Sequence, residues 1–204
     1  EAAEAGFRFQ SVMGGETAVG GKEVVAVMSR TGESKARFSY KLLATSKTST
    51  MEKELNEAAE AGFRYKAVMG GETAIGGSEV VAVLARSAAV KGRFAYKLLA
   101  TNKTSTMEKE IQEAADVGFE YVGQTVFKSM FGGEEVVCIL ERDNDAAERR
   151  SQYKLIATTK TSTLQKELAD VGTAGYEVLG MTVAMTALGG KELVAIARRT
   201  RTAQ

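Results

Sequence analysis

The chain of 204 residues contains no His, no Trp and no Pro, and it has a single Cys. His is the side chain best suited to proton transfer near neutral pH and is the commonest metal ligand. Its absence excludes Ser-His-Asp and Cys-His nucleophile systems and a zinc site of the usual kind. One cysteine excludes an internal disulfide, and the apolar neighbours of Cys138 predict that it lies in a buried strand.

The chain also lacks a large excess of positive or negative charge, since its 27 Lys and Arg residues and 26 Asp and Glu residues give a net charge of +1. Binding to nucleic acid or to an anionic membrane needs a clustered excess of Lys and Arg. No apolar run approaches the roughly 18 to 20 residues that a membrane-spanning helix requires. The composition therefore predicts a soluble globular chain with no nucleic-acid partner and no membrane insertion.

An internal repeat runs through the whole chain. The segment Tyr-Lys-Leu-Leu-Ala-Thr at residues 40–45 returns at residues 96–101, and a close variant occupies residues 153–158. Residues 1–39 align without a gap to the end of a further copy. We therefore divide the chain into one partial repeat and three full repeats. The partial repeat, residues 1–39, comprises a helix end and a β-hairpin, and the full repeats are residues 40–95, 96–152 and 153–204.

Each full repeat opens with a strand and a helix. Residues 93–101 are aromatic and aliphatic without turn residues, which favours a strand. Residues 51–62 carry apolar side chains at helical spacing, so they predict a helix. Ser49 and Glu52 have the spacing of a capping box at its start, and Gly62 is placed for a left-handed stop at its end.

Two further strands complete the repeat. Residues 63–69 alternate between apolar and polar side chains, as in a half-buried strand, and residues 79–86 form a continuous apolar run, as in a central strand. A Gly-rich loop, 70–77, joins them. The prediction is an α+β fold of tandem βαββ repeats, with one helix per repeat and mainly antiparallel sheets in the strand order second, third, first. Because the helix covers one sheet face, we expect repeats to pair sheet to sheet.

The order of Tyr-Lys strand, helix, Gly-aromatic stop and closing strand ending in Arg resembles a small bacterial domain family of unknown function. The family usually has Trp after that Gly, where this chain has Phe or Tyr. The resemblance covers residues 40–204, implies the strand-helix-strand-strand fold and carries no catalytic site. The matching residues are Tyr40, Leu55, Gly62, Phe63 and Arg86, then Tyr96, Ile111, Gly118, Phe119 and Arg142, then Tyr153, Leu168, Gly175, Tyr176 and Arg198.

The sequence Lys-Thr-Ser-Thr precedes or opens the predicted helix in all three full repeats. Free backbone N–H groups beside a Lys and hydroxyls can hold a phosphate or sulfate. Ordinary helix capping is the alternative explanation. The candidate ligand-binding residues are Lys47, Ser49, Lys103, Ser105, Lys160 and Ser162.

The predicted hairpins change along the chain from Gly-rich in the first two repeats to apolar in the last two. Apolar residues there are either extensions of the strands or a contact surface for another molecule. The partial repeat at the start and the apolar hairpins near the end make the two ends of the chain different, and head-to-tail association requires such a difference. An incomplete sheet edge can also accept a strand from another subunit. The candidate assembly residues are Phe7, Phe9, Phe127, Met130, Phe131, Met181, Met185 and Leu188.

Two functional hypotheses follow. The first is a non-enzymatic structural or scaffolding protein that self-assembles head to tail into a fibre or oligomer, with itself as partner. The alternative is a multivalent binding module for a small anionic or carbohydrate ligand at the Lys-Thr-Ser-Thr helix starts. Since no constellation of nucleophile, acid or base stands out, we expect no enzyme activity, no cofactor and no metal. Near-identical tandem copies favour an extracellular or cell-surface location over the cytoplasm.

Overall fold

A computed structural model describes residues 2–16, 22–32, 37–72, 78–87, 93–101, 104–128, 134–147, 151–185 and 190–200. These residues form three helices and four small antiparallel sheets, an α+β arrangement that confirms the predicted class. The chain divides into two compact units, Glu1–Ala95 and Tyr96–Gln204, referred to below as the first and second units. None of the helices in the described ranges combines the length and apolarity needed to cross a membrane.

The elements from residue 8 to residue 87 form one two-stranded and one three-stranded sheet. Strands β1 and β2 pair with each other, and β5 lies between β3 and β4. The bounds are β1 Arg8–Glu16, β2 Lys22–Ser29, β3 Phe38–Thr45, α1 Thr48–Glu60, β4 Arg64–Glu72 and β5 Ser78–Ser87.

The later elements form two three-stranded sheets, in the orders β6-β8-β7 and β10-β11-β9. Within each three-stranded sheet the strand that closes the hairpin is central, which is the order that the sequence predicts. Its place in the middle explains its continuous apolar sequence, because both of its faces are covered. The bounds are β6 Phe94–Thr101, α2 Thr104–Asp116, β7 Glu120–Lys128, β8 Glu134–Asp143, β9 Ser151–Thr158, α3 Thr161–Thr173, β10 Glu177–Met185 and β11 Lys191–Thr200.

The helix starts differ from the prediction. Helix α1 begins at Thr48 after the N-cap residue Lys47, and no side-chain hydrogen bond caps it, so the capping box expected at Ser49 and Glu52 is wrong. The turn comes earlier because the Thr45 hydroxyl accepts a hydrogen bond from the backbone N–H of Lys47 at 3.2 Å. Strand β3 therefore passes into α1 within two residues.

The helix ends agree with the prediction. Gly62 has φ +80°, a left-handed conformation that favours glycine because it has no Cβ. The N–H of Phe63 donates to Ala58 O at 2.9 Å, and the N–H of Gly62 donates to Ala59 O at 2.8 Å. This is the Schellman pair of hydrogen bonds, which satisfies the last carbonyl groups of the helix.

The hairpins are shorter than the sequence suggests. Strand β4 includes Gly70 and Gly71, which were predicted to lie in the loop. In the last two repeats, residues 124–128 belong to β7 and residues 181–185 to β10, each paired with the following strand. These residues therefore extend the strands, since backbone pairing continues past the change in composition, but their burial differs: Phe127 is buried, whereas Met181 is exposed.

The core of the second unit joins two sheets and a helix. One cluster contains Met107 and Ile111 from α2, Cys138 from β8, and Val194 and Ile196 from β11. A second cluster places Leu164, Leu168 and Val171 of α3 against Ala195 and Ala197 of β11. Since neighbours alternate between the two faces of a strand, α3 covers one face of β11, while the opposite face packs against elements of the preceding repeat.

Candidate functional site

The predicted ligand-binding residues lie on the surface where they are described. Lys47 and Ser49 are exposed at the start of α1, and Lys160 and Ser162 are exposed at the start of α3. Lys160 is also the N-cap residue of its helix, again without a side-chain cap. Lys103 and the side chain of Ser105 lie outside the described residues. These two helix starts thus present exposed side chains and free backbone N–H groups.

The predicted assembly residues divide into three groups. Phe7 and Phe9 are half-buried, and Met181 is 61% exposed. Phe127 is 4% exposed, so it is an interior residue, because its strand continues into the covered part of the sheet. The remaining candidates, Met130, Phe131, Leu188 and the side chain of Met185, lie outside the described residues.

Phe7 takes part in a contact that occurs four times within the described part of the chain. A guanidinium group lies 4.7 to 5.0 Å from the centre of the aromatic ring that follows the left-handed glycine, with the pairs Arg30 and Phe7, Arg86 and Phe63, Arg142 and Phe119, and Arg199 and Tyr176. The same guanidinium groups donate to the backbone oxygens of Ala5, Ala61, Val117 and Ala174 at 3.0 to 3.3 Å. The Gly-aromatic stop and the closing Arg are thus one stabilising contact at a helix end.

This contact corrects one residue of the resemblance. Arg199, and not Arg198, stacks on Tyr176, because β10 and β11 are paired in a register that brings Arg199 to that ring. Arg198 instead makes ion pairs with Glu120 and Glu177, each with an N···O distance of 3.7 Å. Position 198 therefore links β11 to strands β7 and β10.

A tyrosine hydroxyl joins successive repeats at a β-bulge. The Oη of Tyr40 accepts a hydrogen bond from the N–H of Phe9 at 2.8 Å, and the Oη of Tyr153 accepts one from the N–H of Tyr121 at 2.9 Å. Both N–H groups belong to the residue just before the bulge of β1 or β7. Burial of the phenol and the nearby Glu120 raise the pKa of Tyr153, although the bond from Tyr121 and the charge of Arg198 oppose the shift.

Helix α2 covers the outer edge of the next repeat's first strand, β9. The side chain of Gln112 accepts from Tyr153 N at 3.0 Å and donates to Ser151 O at 3.1 Å, and a Glu108 carboxylate oxygen accepts from Leu155 N at 2.8 Å. These side chains are four residues apart, so they lie on one helix face. They satisfy backbone groups on the side of β9 that does not face β11.

The sequence analysis missed Glu108 and Gln112, although a signal was present. The repeat before has Glu52 and Asn56 at the corresponding positions, with the same spacing and related chemistry. In the last helix those positions hold Gln165 and Ala169. A Glu followed four residues later by an amide is thus the feature by which α2 contacts the edge of β9, and α1 carries the same feature.

Two surfaces of the first unit, on β2 and β3, are more exposed than the corresponding surfaces on β5 and β9. Among the described residues β2 pairs with β1 and with no second strand, and its Val25 and Val27 are 48% and 40% exposed. The corresponding strand β5 has two neighbours, and its Val83 is buried. We call the unpaired side of β2 the open edge.

The second surface lies on β3. Phe38, Tyr40 and Leu42 share one face of this strand by alternation, and Leu42 is 66% exposed. The corresponding residue on β9, Leu155, is only partly exposed, and its N–H is bonded to Glu108 of α2. We call the Phe38, Tyr40 and Leu42 side of β3 the uncovered face.

An apolar surface is also present on the last hairpin. Met181 and Val183 on β10 are 61% and 52% exposed, and Val178 of the same strand is exposed as well. Strand β10 is the outer strand of its sheet, with β11 on one side. Exposed apolar side chains on an outer strand are typical of a surface that pairs with another strand.

An open cleft of about 590 Å³ lies between α2, β9 and α3. Its walls carry the acidic side chains of Glu108, Glu167 and Asp170 together with Lys154, and its floor is apolar. Within the described ranges no group of three or more acidic or Cys residues could hold a metal ion. Cys138 is buried, as predicted, with its Sγ 3.4 Å from the Met107 sulfur, and burial raises its pKa to about 12, so the reactive thiolate is suppressed.

Comparison of the chain with protein-family models, with curated proteins and with solved structures finds no match.

Proposed function

We propose that this chain is a non-enzymatic structural protein of tandem βαββ repeats that self-assembles head to tail into a fibre or oligomer. The observation that carries the proposal is the exposure of two strands, β2 with its open edge and the outer strand β10. Each strand carries exposed apolar side chains and has one neighbouring strand among the described residues, and the two strands belong to different units of the chain. Two different surfaces make an association heterologous, and such an association continues from subunit to subunit.

Contacts between successive repeats of the second unit support the structural role. Tyr153 bonds to the bulge of β7, and Gln112 and Glu108 hold the edge of β9. The Tyr153 bond is buried, the Gln112 bond is partly buried and the Glu108 bond is exposed, and together they join these two repeats. In a repeat protein such nearest-neighbour contacts set the stability of the array.

The helix starts support the alternative hypothesis, a multivalent binder of anions or carbohydrates, less well. Lys47 and Lys160 project into solvent, and the free N–H groups beside them are those of any helix N-terminus. The assembly proposal rests on surfaces whose exposure differs from that of their counterparts in the same chain. The helix starts offer no such contrast.

The test is the absolute mass in solution by light scattering over a wide concentration range, with electron microscopy of the same samples. The chain mass is 21.8 kDa, and assembly predicts a mass that rises with concentration together with filaments or rings. A Val25→Lys variant and a Met181→Lys variant should each lower that mass, because a charge on either edge opposes strand pairing. Val117→Lys, at an exposed position on neither edge, is the matched control.

A constant mass near 21.8 kDa at all concentrations would refute self-assembly of this chain. Assembly that responds equally to all three lysine variants would show that the joints lie elsewhere.

A further inference from the structure

The sheet of order β10-β11-β9 has two outer strands, and the outer sides of these strands differ. Backbone N–H and C=O groups on an outer strand form a template for pairing with a strand of another molecule. Along β9 these groups are bonded to side chains of helix α2. Along β10 no helix side chain makes such a bond within the described residues, and Met181 and Val183 are exposed. In this part of the chain β9 is thus the covered outer strand of the sheet, and β10 is the accessible one.

Two side chains of α2 occupy three backbone groups of β9. The Gln112 amide accepts a hydrogen bond from Tyr153 N at 3.0 Å and donates one to Ser151 O at 3.1 Å. A carboxylate oxygen of Glu108 accepts a hydrogen bond from Leu155 N at 2.8 Å. Residues 151, 153 and 155 alternate along the strand, so these groups point away from the side that pairs with β11. An incoming strand would have to bond to the same three groups.

Helix geometry explains why this pair of side chains fits a strand edge. Four residues of an α-helix rise about 6 Å, and two residues of a strand rise about 6.6 Å. Glu108 and Gln112 therefore reach N–H groups that are two residues apart, those of Leu155 and Tyr153. The backbone groups in the middle of a helix are bonded within the helix, so α2 covers β9 without presenting a new edge. A fourth strand in the same place would leave its own outer side open.

We infer that Glu108 and Gln112, the edge-covering pair, prevent β9 from accepting a strand of another copy and so restrict strand pairing of this sheet to β10. The inference rests on the proposed function, because it assigns the residues that select the joining strand. Such selection matters in a chain of closely similar repeats, since a strand that fits one repeat also fits another. Residues 40–45 and 96–101, for example, have the same sequence.

The probe for a free β9 edge is a fluorescent peptide of residues 191–200, because this segment forms β11 and pairs antiparallel with β9 on its inner side. Binding of the peptide to the full chain is followed by anisotropy. The reference chain carries Val25→Lys and Met181→Lys, so that added charges oppose pairing at β2 and β10. It should bind the peptide weakly, because the edge-covering pair occupies β9.

Removal of the edge-covering pair should open the edge. In the reference chain, Glu108→Ala together with Gln112→Ala should tighten peptide binding about tenfold or more, since the peptide no longer competes with three hydrogen bonds. Ala169 occupies the position of Gln112 in α3, so Ala is compatible with the helix there. Hydrogen exchange locates the effect: exchange across residues 151–158 should rise in this double Ala variant and fall again when the peptide is added.

Single substitutions separate the edge from general effects on folding and charge. Gln112→Glu loses the donor to Ser151 O and should bind the peptide more tightly than the reference chain. Glu108→Gln keeps an oxygen that accepts from Leu155 N and should bind as weakly as the reference chain. Lys109→Ala makes the same change in charge as Gln112→Glu at a side chain that is 78% exposed, and it should have no effect. If circular dichroism shows that the double Ala variant does not fold, these single substitutions decide the test.

The inference is refuted if the folded double Ala variant binds the peptide no more tightly than the reference chain, or if the protected amides lie outside residues 151–158. It is also refuted if Gln112→Glu binds no more tightly than Lys109→Ala. A peptide with Val194→Pro and Ala195→Pro lacks two adjacent backbone N–H groups and should bind more weakly, because one of them faces β9 in either register. Equal binding of this peptide would contradict strand pairing.

Light scattering on chains without Val25→Lys and Met181→Lys separates this result from the proposed function. A double Ala variant whose mass rises more steeply with concentration than that of the unmodified chain supports both. If the unmodified chain keeps a constant mass while the double Ala variant binds the peptide, self-assembly is overturned and the edge-covering pair is supported. If the unmodified chain assembles while the variant gains neither mass nor peptide binding, the inference is overturned and the assembly proposal stands.

Discussion

Gly180 on β10 is the position where one added methyl group should disturb the contact between two repeats. A Cβ at this position would lie well inside van der Waals contact with the Tyr121 hydroxyl, 3.2 Å from Tyr121 Cζ and 3.3 Å from Gln124 Oε1. Tyr121 belongs to the core of the second unit, and its hydroxyl donates to Gln124 Oε1 at 3.0 Å. The ring therefore cannot move away freely.

The magnitude follows from three terms. Overpacking a filled core costs about 1–3 kcal/mol, and weakening of the Tyr121 hydroxyl bond adds about 1 kcal/mol. The lower backbone entropy of Ala in the unfolded chain offsets about 0.5–1 kcal/mol. Gly180→Ala should thus lower the free energy of unfolding of the second unit by about 1–3 kcal/mol. Gly172→Ala in α3, with no atom within 4 Å of the added Cβ, should raise it by up to about 1 kcal/mol.

The assay is labelling of Cys138 as urea is increased. This thiol is buried in the same core as Tyr121, so it reports opening of the second unit and not of the first. With a urea dependence of about 2 kcal/mol per M, the labelling midpoint should fall by about 0.5–1.5 M in Gly180→Ala.

A double-mutant cycle with Tyr121→Phe completes the test, since removing the hydroxyl oxygen should recover part of the loss. A Gly180→Ala midpoint equal to or above that of the unmodified chain would refute the packing argument. Strictly additive effects in the cycle would refute the assignment to the Tyr121 hydroxyl.

Further predictions concern three other contacts. Tyr153→Phe should cost about 1–3 kcal/mol in urea unfolding by leaving a buried N–H unpaired, whereas Tyr176→Phe should be nearly neutral, since three other copies have Phe there. Because the pKa of Tyr153 is raised, the stability that this group contributes is complete below about pH 10 and is lost as pH rises through the folded-state pKa. The difference in free energy of unfolding between the unmodified chain and Tyr153→Phe should therefore narrow above about pH 10. The native Cys138 thiol should resist a thiol reagent at pH 8 and react on unfolding; rapid native labelling would contradict its burial. The loss from Arg198→Ala should shrink in 1 M salt while that from Arg199→Ala persists, and equal salt dependence would contradict their separate roles.

The sequence was most informative where the cause is local. Spacing of apolar side chains located all three helices, and the left-handed glycine was identified at Gly62 because few other residues adopt that conformation. The continuous apolar run of the closing strand predicted its central place in the three-stranded sheets. Each of these depends on residues within one element or one turn.

The errors arose where neighbouring segments compete. Ser49 and Glu52 have the spacing of a capping box, but the Thr45 hydroxyl accepts a hydrogen bond from the N–H of Lys47, and the helix begins at Thr48 with Lys47 as its N-cap residue. Phe127 was a candidate contact residue on a hairpin, with a packed strand extension as the alternative, and the structure places it in β7, where it is buried. A pattern read along the chain gives the tendency of a segment, and it does not say where strand pairing stops.

Other features were decided by the tertiary structure alone. The register between β10 and β11 brings Arg199 to Tyr176 and leaves its neighbour Arg198 for the ion pairs, a choice that two adjacent arginines do not reveal. The use of Glu108 and Gln112 to cover the edge of β9 depends on residues more than 35 positions apart in the chain.

By itself, then, the sequence determined the α+β class and the central place of the closing strand in each three-stranded sheet, because these follow from periodicity, from glycine and from the need to cover apolar faces. The tertiary structure decided which strand edges are paired among the described residues, because pairing depends on partners far away along the chain. The open edge of β2 has nearly the same sequence as the covered strand β5, and only the neighbours differ.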